Sequence, residues 1–289
     1  MNEQYEHHFI KTNGITLHVV MAGLEDGPPL FLLHGFPEFW YGWHNQIPYL
    51  ADKGYRVIVP DQRGYNLSDK PKGIDAYHLD HLADDIIGLI DVLGYDSVYL
   101  AGHDWGAAVS WWLATKHPER LKKMAVLNVP YPTMLLHAFQ ERNWEQMRKS
   151  WYMIAFQIPW LAEYSFKKQN EGNGRNILLR ISKEDTFSEE DLTIYEKSWE
   201  KPGAITGMLN WYRNAGRSML TTPTPAAGSI TVPTLMLWGE QDKALGQELI
   251  VPSIALCADG QVATFPEATH WLQHDEVEAV NQQFIQFFQ

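Results

Sequence analysis

The stretch that decides the fold is Ser97-Val-Tyr-Leu-Ala-Gly102-His103-Asp104-Trp105-Gly106-Ala-Ala108. Ser97 to Ala101 is a short apolar, β-branched run that reads as a buried strand, and the residues after Gly102 carry a helical pattern to about Lys116, stopped by His117-Pro118. Glycines at 102 and 106 permit a sharp strand-to-helix turn in which neighbouring backbone approaches closely. Asp104 then stands exposed on the elbow, where the G-x-S-x-G pattern has serine. Taken alone, a Gly-Asp turn is also what a loop aspartate bonding its own backbone looks like. The elbow reading gains weight from its context.

Working outward, Ile15–Ala22 reads as an edge strand, and Leu30–Leu33, Arg56–Pro60, Met124–Asn128, Pro233–Trp238 and Gln261–Phe265 as further strands. Leu79, Leu82, Ile86, Ile90 and Leu93 recur every three or four residues, the apolar stripe of a helix closed by Gly94. Val277, Val280, Phe284 and Phe287 make a similar terminal stripe. Alternation of this kind predicts an α/β protein whose mostly parallel sheet is flanked by helices on both faces. The rhythm breaks near Tyr131. From there to about Gly228 no strand-like run occurs, only helical stretches such as Ala138–Gln157 and Glu189–Glu200, separated by loops at Glu171–Gly174 and Thr221–Pro225. The expected organisation is a core of 1–130 and 229–289 with a helical cap inserted at 131–228.

Two further strand ends carry chemistry. Asp242 follows Trp238-Gly-Glu-Gln, and His270 lies in Ala268-Thr-His270-Trp271. Alternating βα units place all strand C-termini on one edge, so both are expected beside Asp104, in the order nucleophile, acid, base. Glu240 is a competing carboxylate for the acid. His34-Gly-Phe36-Pro-Glu38 follows another strand end; it is either a tight loop or, with the backbone N–H groups of Phe36 and Trp105, an oxyanion hole.

With these residues in place, the sequence resembles the epoxide hydrolases of the α/β-hydrolase superfamily and, more distantly, the haloalkane dehalogenases. The motifs are HGFPE at 34–38, DQRGYNLSD at 61–69, GHDWGA at 102–107, SWYMIAFQIP at 150–159, LNWYRN at 209–214 and THW at 269–271. The resemblance implies an α/β-hydrolase fold, catalysis by Asp104, His270 and Asp242, and two cap tyrosines, Tyr152 and Tyr212. It also places Trp105, Phe156, Trp211 and Trp271 around a substrate pocket.

A carboxylate at the elbow suits displacement at saturated carbon, since attack on an amide or ester would give a labile anhydride. The expected reaction is therefore epoxide hydrolysis to a vicinal diol through an alkyl ester of Asp104. Water activated by His270 and Asp242 cleaves that ester, and the tyrosines protonate the epoxide oxygen. The alternative is a haloalkane dehalogenase on the same Asp-His-Asp triad; a haloacetate dehalogenase is disfavoured because Trp105 stands where an arginine is expected. A relative that senses ligand without turning it over is a third reading, opposed by the complete triad.

Composition bounds the partners. The 289 residues include 23 basic and 35 acidic side chains, a net charge of −12 that repels phosphate backbones and makes nucleic acid an unlikely partner. A single cysteine, Cys257, cannot form an internal disulfide. With no leader-like start and no long apolar run, the expectation is a cytoplasmic protein without a membrane span. No cofactor or metal is called for, and the substrates are a small apolar epoxide and water. Twelve tryptophans are a surplus. Most fall in the site loops or the insert, which suggests an aromatic pocket.

Overall fold

The computed structural model describes residues 5–167 and 173–289. Its strands are β1 (Glu6–Thr12), β2 (Ile15–Ala22), β3 (Pro29–Leu33), β4 (Arg56–Pro60), β5 (Val98–His103), β6 (Leu121–Leu127), β7 (Thr234–Gly239) and β8 (Gly260–Phe265). They form one sheet in the order β1-β2-β4-β3-β5-β6-β7-β8. The β1–β2 and β2–β4 pairs are antiparallel and all others parallel.

Helices α1 (Gln46–Asp52), α2 (Leu79–Val92) and α3 (Trp105–Lys116) join the strands of the first half. Between β6 and β7 run α4 (Pro132–Gln140), α5 (Trp144–Lys149), α6 (Trp151–Ala155), α7 (Leu161–Lys167), α8 (Asn173–Ile181), α9 (Glu189–Trp199) and α10 (Ala204–Ser218). The chain closes with α11 (Ile250–Ile254), α12 (Leu272–Asp275) and α13 (Val277–Phe288).

Both sheet faces are buried, which is why the central strands read as continuous apolar runs rather than alternating ones. Phe31, Leu33 and Ile58 point to the side of α2 and α3, while Leu30, Leu32, Val57 and Val59 point to the side of α1 and α13. The α2 stripe packs as its spacing predicts, with Leu79, Leu82, Ile86 and Ile90 buried and Gly94 at φ +77° after the last turn. Helix α3 is buried from Trp105 through Ala114, so it passes through the core rather than over it.

Three expectations need correction. Ile15–Ala22 is not an edge strand, because β1 pairs outside it through its full length. Glu6–Thr12 escapes a sequence reading since its side chains are mostly exposed on both faces and show no alternation. The single helix anticipated over Ala138–Gln157 is three short ones. Arg142 turns the chain at φ +57°, and the Asn143 side chain then accepts from the Gln146 N–H to cap α5. Of the loop expected at Glu171–Gly174, residues 171 and 172 lie outside the described residues, and Gly174 belongs to α8. Among the described residues no helix is long and apolar enough to cross a membrane.

Candidate active site

Asp104 sits between the last residue of β5 and the first of α3 with φ +49° and ψ −121°, a conformation that side-chain-bearing residues rarely adopt. The surrounding glycines explain how the turn closes. A Cβ on Gly35 would collide with the Asp104 side chain, and one on Gly106 with the Leu33 carbonyl. Because Leu33 lies in register with Gly102 on the neighbouring strand, the loop after β3 and the elbow after β5 come together. The Phe36 N–H donates to Asp104 Oδ1 at 2.6 Å. Trp105 is the first residue of α3, whose leading amides have no intrahelical acceptor.

His270 stands past β8, with Nε2 3.6 Å from Asp104 Oδ2 and Nδ1 2.7 Å from Asp242 Oδ2. The imidazole and the Asp242 carboxylate are nearly inaccessible, whereas Asp104 keeps some exposure toward a cavity. Burial by itself lowers the His270 pKa, but the negative charges of Asp242 and Asp104 outweigh it and push it up to about 10. Asp242 is disfavoured as an anion by burial, yet His270, the Ala244 and Leu245 amides (2.7 and 2.9 Å) and Asn128 Nδ2 (2.8 Å) hold its carboxyl below the usual range. Glu240 lines the cavity without bonding the imidazole. Asp242 is thus the carboxylate on His270.

A stability prediction follows from that raised value. Folded protein retains the His270 proton that unfolded chain, with an ordinary histidine pKa near 6.5, gives up. The stabilisation is therefore complete below about pH 6.5 and is lost as pH rises towards 10. Urea midpoints measured from pH 6 to 10 should fall more steeply for the natural chain than for His270→Gln; parallel curves would contradict the assignment.

From the helical insert, Tyr152 on α6 and Tyr212 on α10 reach the same cavity of about 530 Å³ that contains Asp104, Asp242 and His270. Their ring centroids are 6.0 Å apart. Burial, reinforced by the charge of Asp104, pushes both phenols above the ordinary tyrosine value, so they stay protonated across the neutral range. Phe156 packs edge-on to Phe36 (5.4 Å) and Tyr212 (5.0 Å) and closes the aromatic side.

The other aromatic expectations are corrected. Trp105, Trp211 and Trp271 do not line the cavity. The Trp105 ring packs edge-on against Tyr212 at 5.0 Å; the Trp211 indole donates to the Arg63 carbonyl at 2.9 Å; the Trp271 indole donates to the Leu178 carbonyl at 3.2 Å. Consecutive helical residues point about 100° apart, so when Tyr212 faces the cavity its neighbour Trp211 turns onto the core. Nor do the tryptophans of the insert gather round the pocket: Trp144 and Trp160 are 71% and 74% exposed, and only Trp151 among them borders it.

Sequence reasoning passed over several residues that hold this arrangement. Asn128, at φ +54° after β6, donates to Asp242 and accepts from the Gly239 N–H at 3.0 Å; an asparagine at a strand end is the signal that could have marked it. Arg213 donates to the Phe156 carbonyl (3.0 Å) and pairs with Glu163 (2.7 Å), tying the helix of Tyr212 to the segment after Tyr152. Glu38 is fully buried, accepting from the Tyr195 hydroxyl (2.7 Å) and Gln273 (3.0 Å). Burial alone would raise its carboxyl, but His274 and His103 hold it well below the carboxylate range. Among the described residues no cluster of His, Cys, Asp and Glu could hold a metal.

The sheet order, the aspartate on the elbow after β5 and the histidine and carboxylate on the loops after β8 and β7 define a hydrolytic α/β scaffold. A family model described as alpha/beta hydrolase fold matches residues 28–277. The AB hydrolase superfamily protein YfhM of Bacillus subtilis is 44% identical over 96% of both chains. Epoxide hydrolase 1 of Caenorhabditis elegans is 38% identical over 99% of this chain and 70% of its own length. Among solved structures, an epoxide hydrolase from Bacillus megaterium in complex with an inhibitor superposes with a TM-score of 0.87 at 30% identity, covering 97% of this chain and 99% of that one. The chain belongs to the α/β-hydrolase fold family and, within it, to the epoxide-hydrolase group.

Proposed function

We propose that this protein hydrolyses an epoxide to a vicinal diol through a covalent ester on Asp104, with residues 131–228 acting as the cap that supplies the proton donors. The observation that carries the reading is one cavity holding an elbow carboxylate, a buried His270–Asp242 pair and two protonated phenols. An Asp104 oxygen attacks an epoxide carbon; the C–O bond breaks, its electrons go to the ring oxygen, and Tyr152 or Tyr212 delivers a proton there. Water then attacks the ester carbonyl carbon and passes its proton to His270. The resulting oxyanion rests on the Phe36 and Trp105 amides, and its collapse regenerates the Asp104 carboxyl and expels the substrate oxygen, which takes the proton held by His270 and leaves as the diol.

The electrostatics suit this sequence of steps. While Asp104 is anionic, two carboxylates hold the His270 proton. Ester formation removes the Asp104 charge and with it part of what raises the pKa, so His270 can give its proton to the phenolate left by ring opening and only then accept one from water. A departing halide, by contrast, needs N–H donors rather than a proton. Two phenols in the cavity that contains Asp104 supply that proton, which favours the epoxide over a haloalkane. The walls of Phe36, Phe156, Ile177 and Ile181 suit an apolar body, and the lone Cys257 suits a reducing compartment such as the cytoplasm.

Single turnover in ¹⁸O-water tests the route. The first diol should contain only unlabelled oxygen, one atom coming from Asp104, and label should appear from the second turnover on. Label in the first product would exclude the ester.

A further inference from the structure

Positive charge and exposed apolar surface are concentrated in the same stretch of the insert. Between Arg142 and Lys183 the chain has eight basic and three acidic residues, whereas the remainder has 15 basic and 32 acidic. Of the sixteen large hydrophobic side chains exposed among the described residues, nine lie between Trp144 and Leu179. Five of them, Trp144, Met147, Trp151, Ile154 and Ile158, recur every three or four residues, which puts them on one face of α5, α6 and the turn that follows. Only Ser150 separates the two helices, and its N–H still donates to the Gln146 carbonyl at 2.9 Å, so the stripe carries through the junction. Trp160 and Tyr164, one turn apart at the entry to α7, are exposed as well. The charges of the stretch divide into two sets. Arg175 pairs with Glu189 and Lys183 with Glu276, while Glu145 and Glu163 are met by Lys149 (3.8 Å) and Arg213 (2.7 Å). Arg142, Arg148 and Arg180 are left exposed, with no side-chain ion pair or hydrogen bond among the described residues. Arg148, Trp151 and Arg180 all line the cavity that contains Asp104, which brings α8 alongside the stripe.

We propose that this face of the cap docks on a membrane surface containing anionic lipid, with its tryptophans and aliphatic side chains in the headgroup layer and Arg142, Arg148 and Arg180 against lipid phosphate. Exposed apolar residues scattered singly need no explanation, but a contiguous stripe of them marks a surface that is covered. Indole and phenol rings, apolar in the body and polar at one edge, settle at the level of the headgroups. An apolar face flanked by unpaired arginines is the combination that holds a peripheral protein at an anionic bilayer. Charge selects this occupant over a second copy of the chain, because a twofold contact would bring the same patch against itself, cation against cation. The acidic remainder of the molecule is repelled by the same lipid, so only the orientation with the stripe towards the bilayer is attracted. Docking of this kind does not depend on which substrate the cavity takes.

Flotation with vesicles of phosphatidylcholine alone, and of phosphatidylcholine and phosphatidylglycerol in equal parts, tests the inference. A cation held near an anionic surface strengthens binding by about fivefold, so the three arginines should favour the mixed vesicles by about a hundredfold. That preference should vanish near 1 M salt, where the screening length is about 3 Å. In the Arg142→Gln/Arg180→Gln variant it should fall to about fivefold. The Trp144→Ser/Ile154→Ser variant, which alters two exposed side chains outside the cavity lining, should bind mixed vesicles about tenfold more weakly with its thermal unfolding midpoint unchanged. Absence of flotation with the mixed vesicles, or equal binding to both kinds, overturns the inference. So does natural-strength binding by the Trp144→Ser/Ile154→Ser variant, which would place the lipid contact elsewhere. Light scattering without lipid should show a monomer; a dimer that the same variant dissociates would assign the face to a second copy and overturn lipid docking.

Discussion

His270→Gln is expected to consume one equivalent of epoxide and then stop, its intact mass raised by the mass of the substrate. Attack by Asp104 does not require the imidazole to accept a proton, so ester formation survives the substitution. Hydrolysis of the ester does require it, because neutral water is a poor nucleophile until a base removes its proton; loss of a general base typically lowers the rate by about 10²–10⁴-fold. Glutamine keeps the bulk and can still donate to Asp242, so the buried carboxylate is not left bare. Ester formation would remain fast while breakdown became limiting, and the adduct would persist through desalting and mass spectrometry. Steady turnover with no adduct would show that His270 is not the base.

The Tyr152→Phe/Tyr212→Phe double variant should fail one step earlier. The leaving oxygen is an alkoxide about as basic as hydroxide, whose conjugate acid, water, has a pKa of about 15.7. A phenol can protonate it even when burial and Asp104 have pushed its own pKa up. With both hydroxyls removed, the cavity keeps its shape and loses its acids, so ring opening should slow by about 10²–10⁴-fold and no mass adduct should form. Each single variant retains one donor in the same cavity and should keep measurable activity. Opposite mass-spectrometric outcomes, adduct for His270→Gln and none for the double variant, separate the two half-reactions. Near-normal turnover by the double variant would mean that the proton comes from elsewhere.

Legibility of the site differed residue by residue. Asp104, Asp242 and His270 could be read because each follows a strand, and strand ends in an alternating α/β chain share one edge. Phe36 could be read for the same reason, with Leu33 and Gly102 in register confirming how the two turns meet. Tyr152 and Tyr212 had no such local signal; only resemblance to a family picked them from thirteen tyrosines. The tryptophans misled for a physical reason. Trp211 and Trp271 are buried beside the site residues Tyr212 and His270, yet point elsewhere, since adjacency in sequence does not determine facing. Glu38 and its partners His103, Gln273 and His274 form a buried polar network that no single stretch of sequence reveals, because its members are brought together from three separate segments.

By itself, then, the sequence determined what periodicity and glycine placement encode: a mostly parallel sheet, a helical insert after β6, and an elbow that presents a carboxylate. Those are local properties, set by backbone sterics and by which faces must be buried. The tertiary structure alone decided which aromatics face the cavity, that Asp242 rather than Glu240 pairs with His270, and that Tyr152 and Tyr212 converge on one cavity. Orientation, pairing and convergence depend on rotation about each element's axis and on contacts between distant segments, and neither is written in any one stretch of the chain.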